Sequence, residues 1–198
     1  MKIQDDVLAG LIELNSKVLD VGCGDGNLLL YLKKNKRIDG RGIEINQKNV
    51  QECLAKGLAV VEGDAEKDLI NYPNRSFDTA ILNQAIQQFY EPRKVLNELL
   101  RIAEKAIITI PNFGYWKVRL NLLLTGTMPV TKTLPYSWYN TPNLHMSSIK
   151  DFYNLCNLDN IKVIKSISIS SNKIGDITSN NLEIKNLVSE LGVFVVSK

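Results

Sequence analysis

The chain has 198 residues, of which 44% are apolar and 23% charged, and its net charge is +3. That length fits one domain, which buries roughly 70% of its unfolded surface. The scattered positive charge forms no basic stripe interleaved with aromatics, which excludes a nucleic-acid binder, and Cys23, Cys53 and Cys156 have no CxxC spacing or neighbouring histidines, which excludes a zinc site or disulfide framework.

The start, Met1-Lys-Ile-Gln-Asp-Asp, has no basic stretch followed by an apolar one, and no apolar run reaches membrane-spanning length. A soluble cytoplasmic protein without membrane or metal contacts is expected. From Lys17 to about Pro111 strands and helices alternate, the pattern of an open parallel sheet. Val18–Val21 reads as strand one and Asn27–Lys34 as the helix after it. Between them stands Gly22-Cys-Gly-Asp-Gly26, whose glycines bare the backbone to a ligand and tolerate positive φ. The helix N-terminus adds unpaired N–H groups and a positive dipole end. A dinucleotide turn reads G-x-G-x-x-G and holds a pyrophosphate. Here the spacing is G-x-G-x-G, and Asp20 at the strand end repels a pyrophosphate but attracts an ammonium.

Gly42–Ile45 reads as strand two and Gln47–Lys56 as a helix closed by Gly57. Leu58–Glu62 is strand three, Phe77–Leu82 strand four and Ala106–Ile110 strand five. Pro92–Ile102 is a helix whose Val95, Leu96, Leu99 and Leu100 share one face. Ile161–Ser170 and Gly192–Val196 read as the strands of a closing antiparallel hairpin, because the polar Ser171–Asn181 is too short for a crossover helix. The Asn172–Asn186 stretch is poor in apolar residues. Ligands in such sheets sit beyond the strand carboxyl ends, so polar groups at those ends are the candidate contacts. Glu44, followed by Ile45, closes strand two where a carboxylate can accept from two ribose hydroxyls. Asp64 and the Ala65 N–H after strand three suit an adenine edge, or Asp64 is simply a helix N-cap. Asn83 after strand four is placed to meet an ammonium, whereas Asp78, at the far edge, is structural.

Val18-Leu-Asp-Val-Gly-Cys-Gly-Asp-Gly26 resembles motif I of the class I S-adenosylmethionine (SAM)-dependent methyltransferases. The resemblance implies a Rossmann-like α/β three-layer sandwich with a seven-stranded, mostly parallel sheet and an antiparallel last strand. It also implies SAM or S-adenosylhomocysteine (SAH) as ligand of Asp20, Gly22, Cys23, Gly24, Gly26, Glu44, Ile45, Asp64, Ala65 and Asn83. Residues 1–198 then form one such domain, with 112–147 inserted as a cap or loop. Cys23 stands at a helix N-terminus, which favours a thiolate, although its small side chain also suits a buried filler.

The region after strand five narrows the match. Ile110-Pro-Asn-Phe-Gly-Tyr-Trp and Trp138-Tyr-Asn-Thr-Pro-Asn-Leu-His145 resemble the MetW methionine biosynthesis family, from about Asn15 to Val163. Where the turn before strand six usually carries Gly, Asn157-Leu-Asp-Asn160 stands here, and Asn also adopts the left-handed conformation. The resemblance implies a SAM-binding protein that supports homoserine O-acyltransferase; the alternative is a methyltransferase with a small-molecule acceptor. For that alternative the acceptor-side candidates are His145, the only histidine, Tyr115 and Tyr139, with Tyr136 nearby. Ser148 and Asp151 can form a capping box for the next helix. Trp116–Pro129 and Pro135-Tyr-Ser-Trp-Tyr139 either pack on the sheet or dock a partner.

Overall fold

The computed structural model describes residues 3–171 and 173–198. After helix α1 (Ile3–Gly10), β1 (Lys17–Val21) leads through the glycine turn into α2 (Asn27–Lys36). Then follow β2 (Asp39–Glu44), α3 (Gln47–Ala55), β3 (Ala59–Glu62), the one-turn α4 (Ala65–Asp68), β4 (Phe77–Asn83), α5 (Pro92–Ile102) and β5 (Ala103–Pro111). The C-terminal part holds α6 (Trp116–Thr125), α7 (Ile149–Leu158), β6 (Lys162–Ser170), β7 (Lys173–Asp176), α8 (Leu182–Val188) and β8 (Leu191–Ser197). The strand order is β3-β2-β1-β4-β5-β8-β6-β7. β1 to β5 pair in parallel, and β8 enters antiparallel between β5 and β6.

The alternation of apolar residues along the central strands divides the core into two faces. Leu19, Val21, Ala80, Leu82, Ala106 and Ile108 face α5 and α7. Val18, Ile81 and Ile107 face α1, α2 and α3. This is the three-layer α/β methyltransferase-type sandwich. Asp78 lies at the far end, where its Oδ2 accepts from the Lys17 N–H at 2.7 Å.

The sheet has eight strands rather than the expected seven. The extra one is β7, which pairs antiparallel with Ile167–Ser170 of β6. It is exposed apart from Gly175 and carries one apolar residue, Ile174, so its sequence has no strand-like alternation. Backbone bonding holds it, with the Ser168 hydroxyl donating to Gly175 O at 2.9 Å. β6 and β8 are therefore joined through β7 and α8, not by a tight hairpin. Asn160 adopts φ +53° before β6, the left-handed geometry that replaces a glycine there.

The Pro111-Asn112-Phe113-Gly114 turn is a structural pin. Buried Asn112 donates through Nδ2 to Asn186 O and Ser189 O, both at 2.7 Å. Its Oδ1 accepts from the N–H groups of Gly114 at 2.9 Å and Ile149 at 3.2 Å. One amide thus ties β5, α7 and α8. Asn112→Ala leaves several buried backbone groups unpaired and is expected to cost about 3 kcal/mol in urea unfolding. Ser148 and Asp151 do form a capping box at α7; Ser148→Ala, at that exposed cap, is expected to cost only about 1 kcal/mol.

Among the described residues no helix is long and apolar enough to cross a membrane.

Candidate cofactor-binding site

A cavity of about 840 Å³ opens beyond the carboxyl ends of β1 to β4. Of the residues nominated from sequence, Gly22, Gly24, Glu44, Ile45, Asp64, Ala65 and Asn83 line it, whereas Asp20, Cys23 and Gly26 do not. The three glycines all have positive φ, and each serves a different contact. A Cβ on Gly24 would meet nothing within 4 Å, so this backbone is open to a ligand. A Cβ on Gly22 would come within 3.4 Å of Ala85 Cβ. At Gly26 it would lie 2.6 Å from Leu58 Cδ1 and 2.7 Å from Cys53 Sγ, so this glycine lets α2 start hard against α3 and its neighbouring turn.

Glu44 is buried at the end of β2. Its Oε2 accepts from the Gly24 N–H at 2.8 Å and its Oε1 from the Asn46 N–H at 2.9 Å. Each oxygen has a further lone pair, so the carboxylate is oriented by the backbone while retaining acceptor capacity. Asp20 lies beneath the glycine turn, fully enclosed, and its Oδ1 has no hydrogen-bond partner. Burial, and secondarily the Glu44 charge, push its carboxyl up to about 7.

Cys23 turns away from the cavity against Gly42. Burial and then the Asp20 charge push its thiol well above the ordinary range, which overrides the helix-terminus effect and keeps it a protonated filler. Asp64 is the N-cap of α4, accepting from the Glu66 N–H at 3.1 Å, and pairs with Lys67 at 2.7 Å. The hydrogen bond from Lys67 holds its carboxyl below the usual range. It caps a helix and lines the cavity at once. Ile45 is 70% exposed and presents an apolar face to the cavity.

Asn83 is tied into a network that sequence reasoning missed. Its Oδ1 accepts from Thr109 Oγ1 at 2.7 Å and from Gln4 Nε2 at 2.5 Å. Gln4 Oε1 in turn accepts from Gln84 Nε2 at 2.9 Å. The first turn of α1 therefore covers this end of the site, and a ligand ammonium would reach the Asn83 oxygen only by displacing Gln4.

The three acceptor-side candidates are not on the cavity wall. Tyr115 is buried with Val118 and Leu134 in a small separate cluster, and Tyr139 is 69% exposed, edge-on to Trp138. His145 lines a smaller pocket of about 120 Å³ behind the 86–88 turn. The Leu144 and His145 N–H groups both donate to Gln87 O, at 2.8 and 3.0 Å, and this anchor holds His145 on that side. Tyr136 and Pro142 of the same segment do line the cavity, together with Gln88, Phe89 and Tyr90. The run Gln84–Tyr90, polar then aromatic between β4 and α5, was the signal for the latter wall.

The model of the family described as "Methionine biosynthesis protein MetW" matches residues 4–196. The chain is 29% identical over 176 residues to the bifunctional methionine biosynthesis protein MetXA/MetW of Rhodopirellula baltica, covering 84% of this chain and 28% of that protein. It is 32% identical over 94 residues to ajmaline N-methyltransferase of Rauvolfia serpentina, covering 43% of this chain and 32% of the relative. The chain thus spans about a third or less of the length of these relatives. A SAM-dependent methyltransferase structure from Thermotoga maritima superposes with a TM-score of 0.70 at 16% identity, covering 98% of this chain and 87% of that one. One from Archaeoglobus fulgidus gives 0.67 at 15% identity, covering 98% and 94%. At those identities the likeness establishes the fold alone, and the match across residues 4–196 establishes the family: the chain belongs to the MetW methionine biosynthesis protein family.

Proposed function

We propose that the cavity binds SAM or SAH, and that the protein acts as the SAM-responsive partner of a homoserine O-acyltransferase. The observation that carries the ligand assignment is Glu44, a carboxylate oriented by the Gly24 and Asn46 N–H groups beside the bare Gly24 backbone. That geometry suits a ribose diol and opposes a pyrophosphate. Ile45 and Ala65 offer an apolar slot for the adenine, with Asp64 at its edge. Asp20 supplies a negative field beneath the turn for the ammonium, and Gln4 yields or rearranges as the amino acid end enters. Bound SAM would supply an electrophilic methyl group; the residues named here bind and orient it.

The acyltransferase partner is supported by the Rhodopirellula relative, whose name joins MetXA and MetW in one bifunctional protein. Titration calorimetry with SAM, SAH and NAD tests the ligand: micromolar binding of the first two without the third is expected, and NAD binding alone would overturn it. Co-purification with the acyltransferase, and its rate with and without this protein, tests the partner. No complex and no rate change would remove that half of the reading.

A second reading, methyl transfer to a small molecule, draws on Tyr136, Phe89 and Tyr90 at the cavity wall, which offer aromatic surface for an acceptor. In-line transfer from a sulfonium needs chiefly alignment and exclusion of water. Radiolabelled methyl incorporation into a metabolite extract separates it from the first reading, and an inert extract counts against it.

A further inference from the structure

The α6 helix does not pack on the sheet. Only Val118 of its ten residues is buried, and Leu123 and Leu124 are 81% and 73% exposed. Helices with apolar residues on all sides are normally covered by other protein, and among the described residues nothing covers this one. The exposure continues through Val130, Trp138, Tyr139 and Met146. Eleven of the twenty-three exposed large apolar side chains among the described residues lie between Trp116 and Met146, under a sixth of the chain. Such concentration marks an interaction surface rather than the ordinary scatter of surface apolar residues.

Charge narrows the occupant. From Lys105 to Lys150 the sequence has no Asp or Glu, while Lys117, Arg119 and Lys132 stand among the apolar residues. A second copy of this chain would set cations against cations. The complementary partner presents an apolar patch fringed by carboxylates. The apolar residues surround α6 rather than forming one stripe, which disfavours a helix lying flat in a lipid surface. The relative whose name joins MetXA and MetW in one bifunctional protein points to the occupant.

We infer that α6 and the apolar side chains of the segment following it are the docking surface for the homoserine O-acyltransferase. This rests on the partner assignment made above and adds where the partner sits. The same segment supplies Tyr136 and Pro142 to the cavity and is anchored to Gln87 O, so the docked partner borders the ligand site.

The test uses the full chain and the separately purified acyltransferase of the same source, with affinity read by calorimetry. Leu123→Glu with Leu124→Glu is expected to weaken the complex about 100-fold or more, as loss of buried anchors does. A control pair on other exposed apolar positions, Leu54→Glu with Ile184→Glu, is expected to change it by no more than about twofold. Both variants should bind SAH like the wild type, which verifies folding and keeps the ligand site out of the comparison. If the wild type binds and the α6 pair binds equally well, the surface assignment fails while the partner stands. If the wild type does not bind the acyltransferase, the partner reading fails and takes this proposal with it. Self-association, or binding to phosphatidylserine vesicles, that disappears in the α6 pair in place of acyltransferase binding would assign the surface to another occupant and overturn the proposal.

Discussion

Replacing Glu44 with glutamine is expected to weaken SAH binding by about 100- to 1,000-fold, with little change in the fold's secondary structure. The expectation follows from two roles held by one side chain. Both carboxylate oxygens accept backbone N–H groups, from Gly24 and Asn46. Gln offers a single acceptor oxygen, so one of those N–H groups loses its partner and the glycine turn loses half of its orientation. The amide nitrogen also faces ribose hydroxyls with donors where acceptors are needed. Charge-assisted hydrogen bonds are roughly twice as strong as neutral ones, so the ligand loses both geometry and energy. Calorimetry at pH 7.5 reads the effect. An E44Q affinity within threefold of wild type would mean that the ribose is held elsewhere and would displace the proposed pose.

The second large effect is a pH dependence centred on Asp20. The carboxyl of Asp20 is pushed up to about 7 by burial and then by Glu44, against an ordinary value of 3.8. Because the folded value lies above the unfolded one, the native state holds the proton across that interval and the unfolded chain does not. The stabilisation is therefore complete below about pH 4 and is lost as pH rises through about 7. Asp20→Asn, which cannot ionise, should match wild type near pH 4 and exceed it by about 4 kcal/mol at pH 8 in urea unfolding of the ligand-free protein. Ligand binding should have the opposite sign. An ammonium over the glycine turn favours the ionised carboxylate, so SAH affinity should rise about tenfold per pH unit up to about 7 and then level off. In D20N the profile should be flat and the affinity at pH 7.5 weaker by about tenfold or more. A flat wild-type profile would show that Asp20 is not coupled to the ligand. The expected slope would mean that one residue trades stability of the empty protein for recognition of the ligand.

Much of the site was legible because its components are local in sequence. The glycine turn is formed by residues that sit within one strand–turn–helix unit, and its spacing of Asp20, Gly22, Gly24 and Gly26 differs from the G-x-G-x-x-G of a dinucleotide turn. Glu44 and Asp64 could be found because every parallel strand delivers its carboxyl end to the same edge of the sheet. The functions of individual members were less legible. Gly26 and Cys23 belong to the motif by position, yet they pack inward against Leu58, Cys53 and Gly42, and only the approach of α3 and β2 reveals this. Gln4 was invisible as a site residue, since nothing within α1 hints that its side chain bridges to Asn83 and Gln84 about eighty residues away.

The sequence alone determined the alternating α/β order, the glycine turn and its acidic companions, and the MetW resemblance, because each is written in short-range period, spacing or motif. Tertiary structure alone decided the eighth strand, which backbone pairing rather than apolar alternation holds in place. It also decided which side of the 86–88 turn receives His145, because two N–H groups meet one carbonyl there. Finally, it left α6 off the sheet. Its leucines are equally suited to a core or to an interface, and only the absence of a covering element within the described residues separates the two.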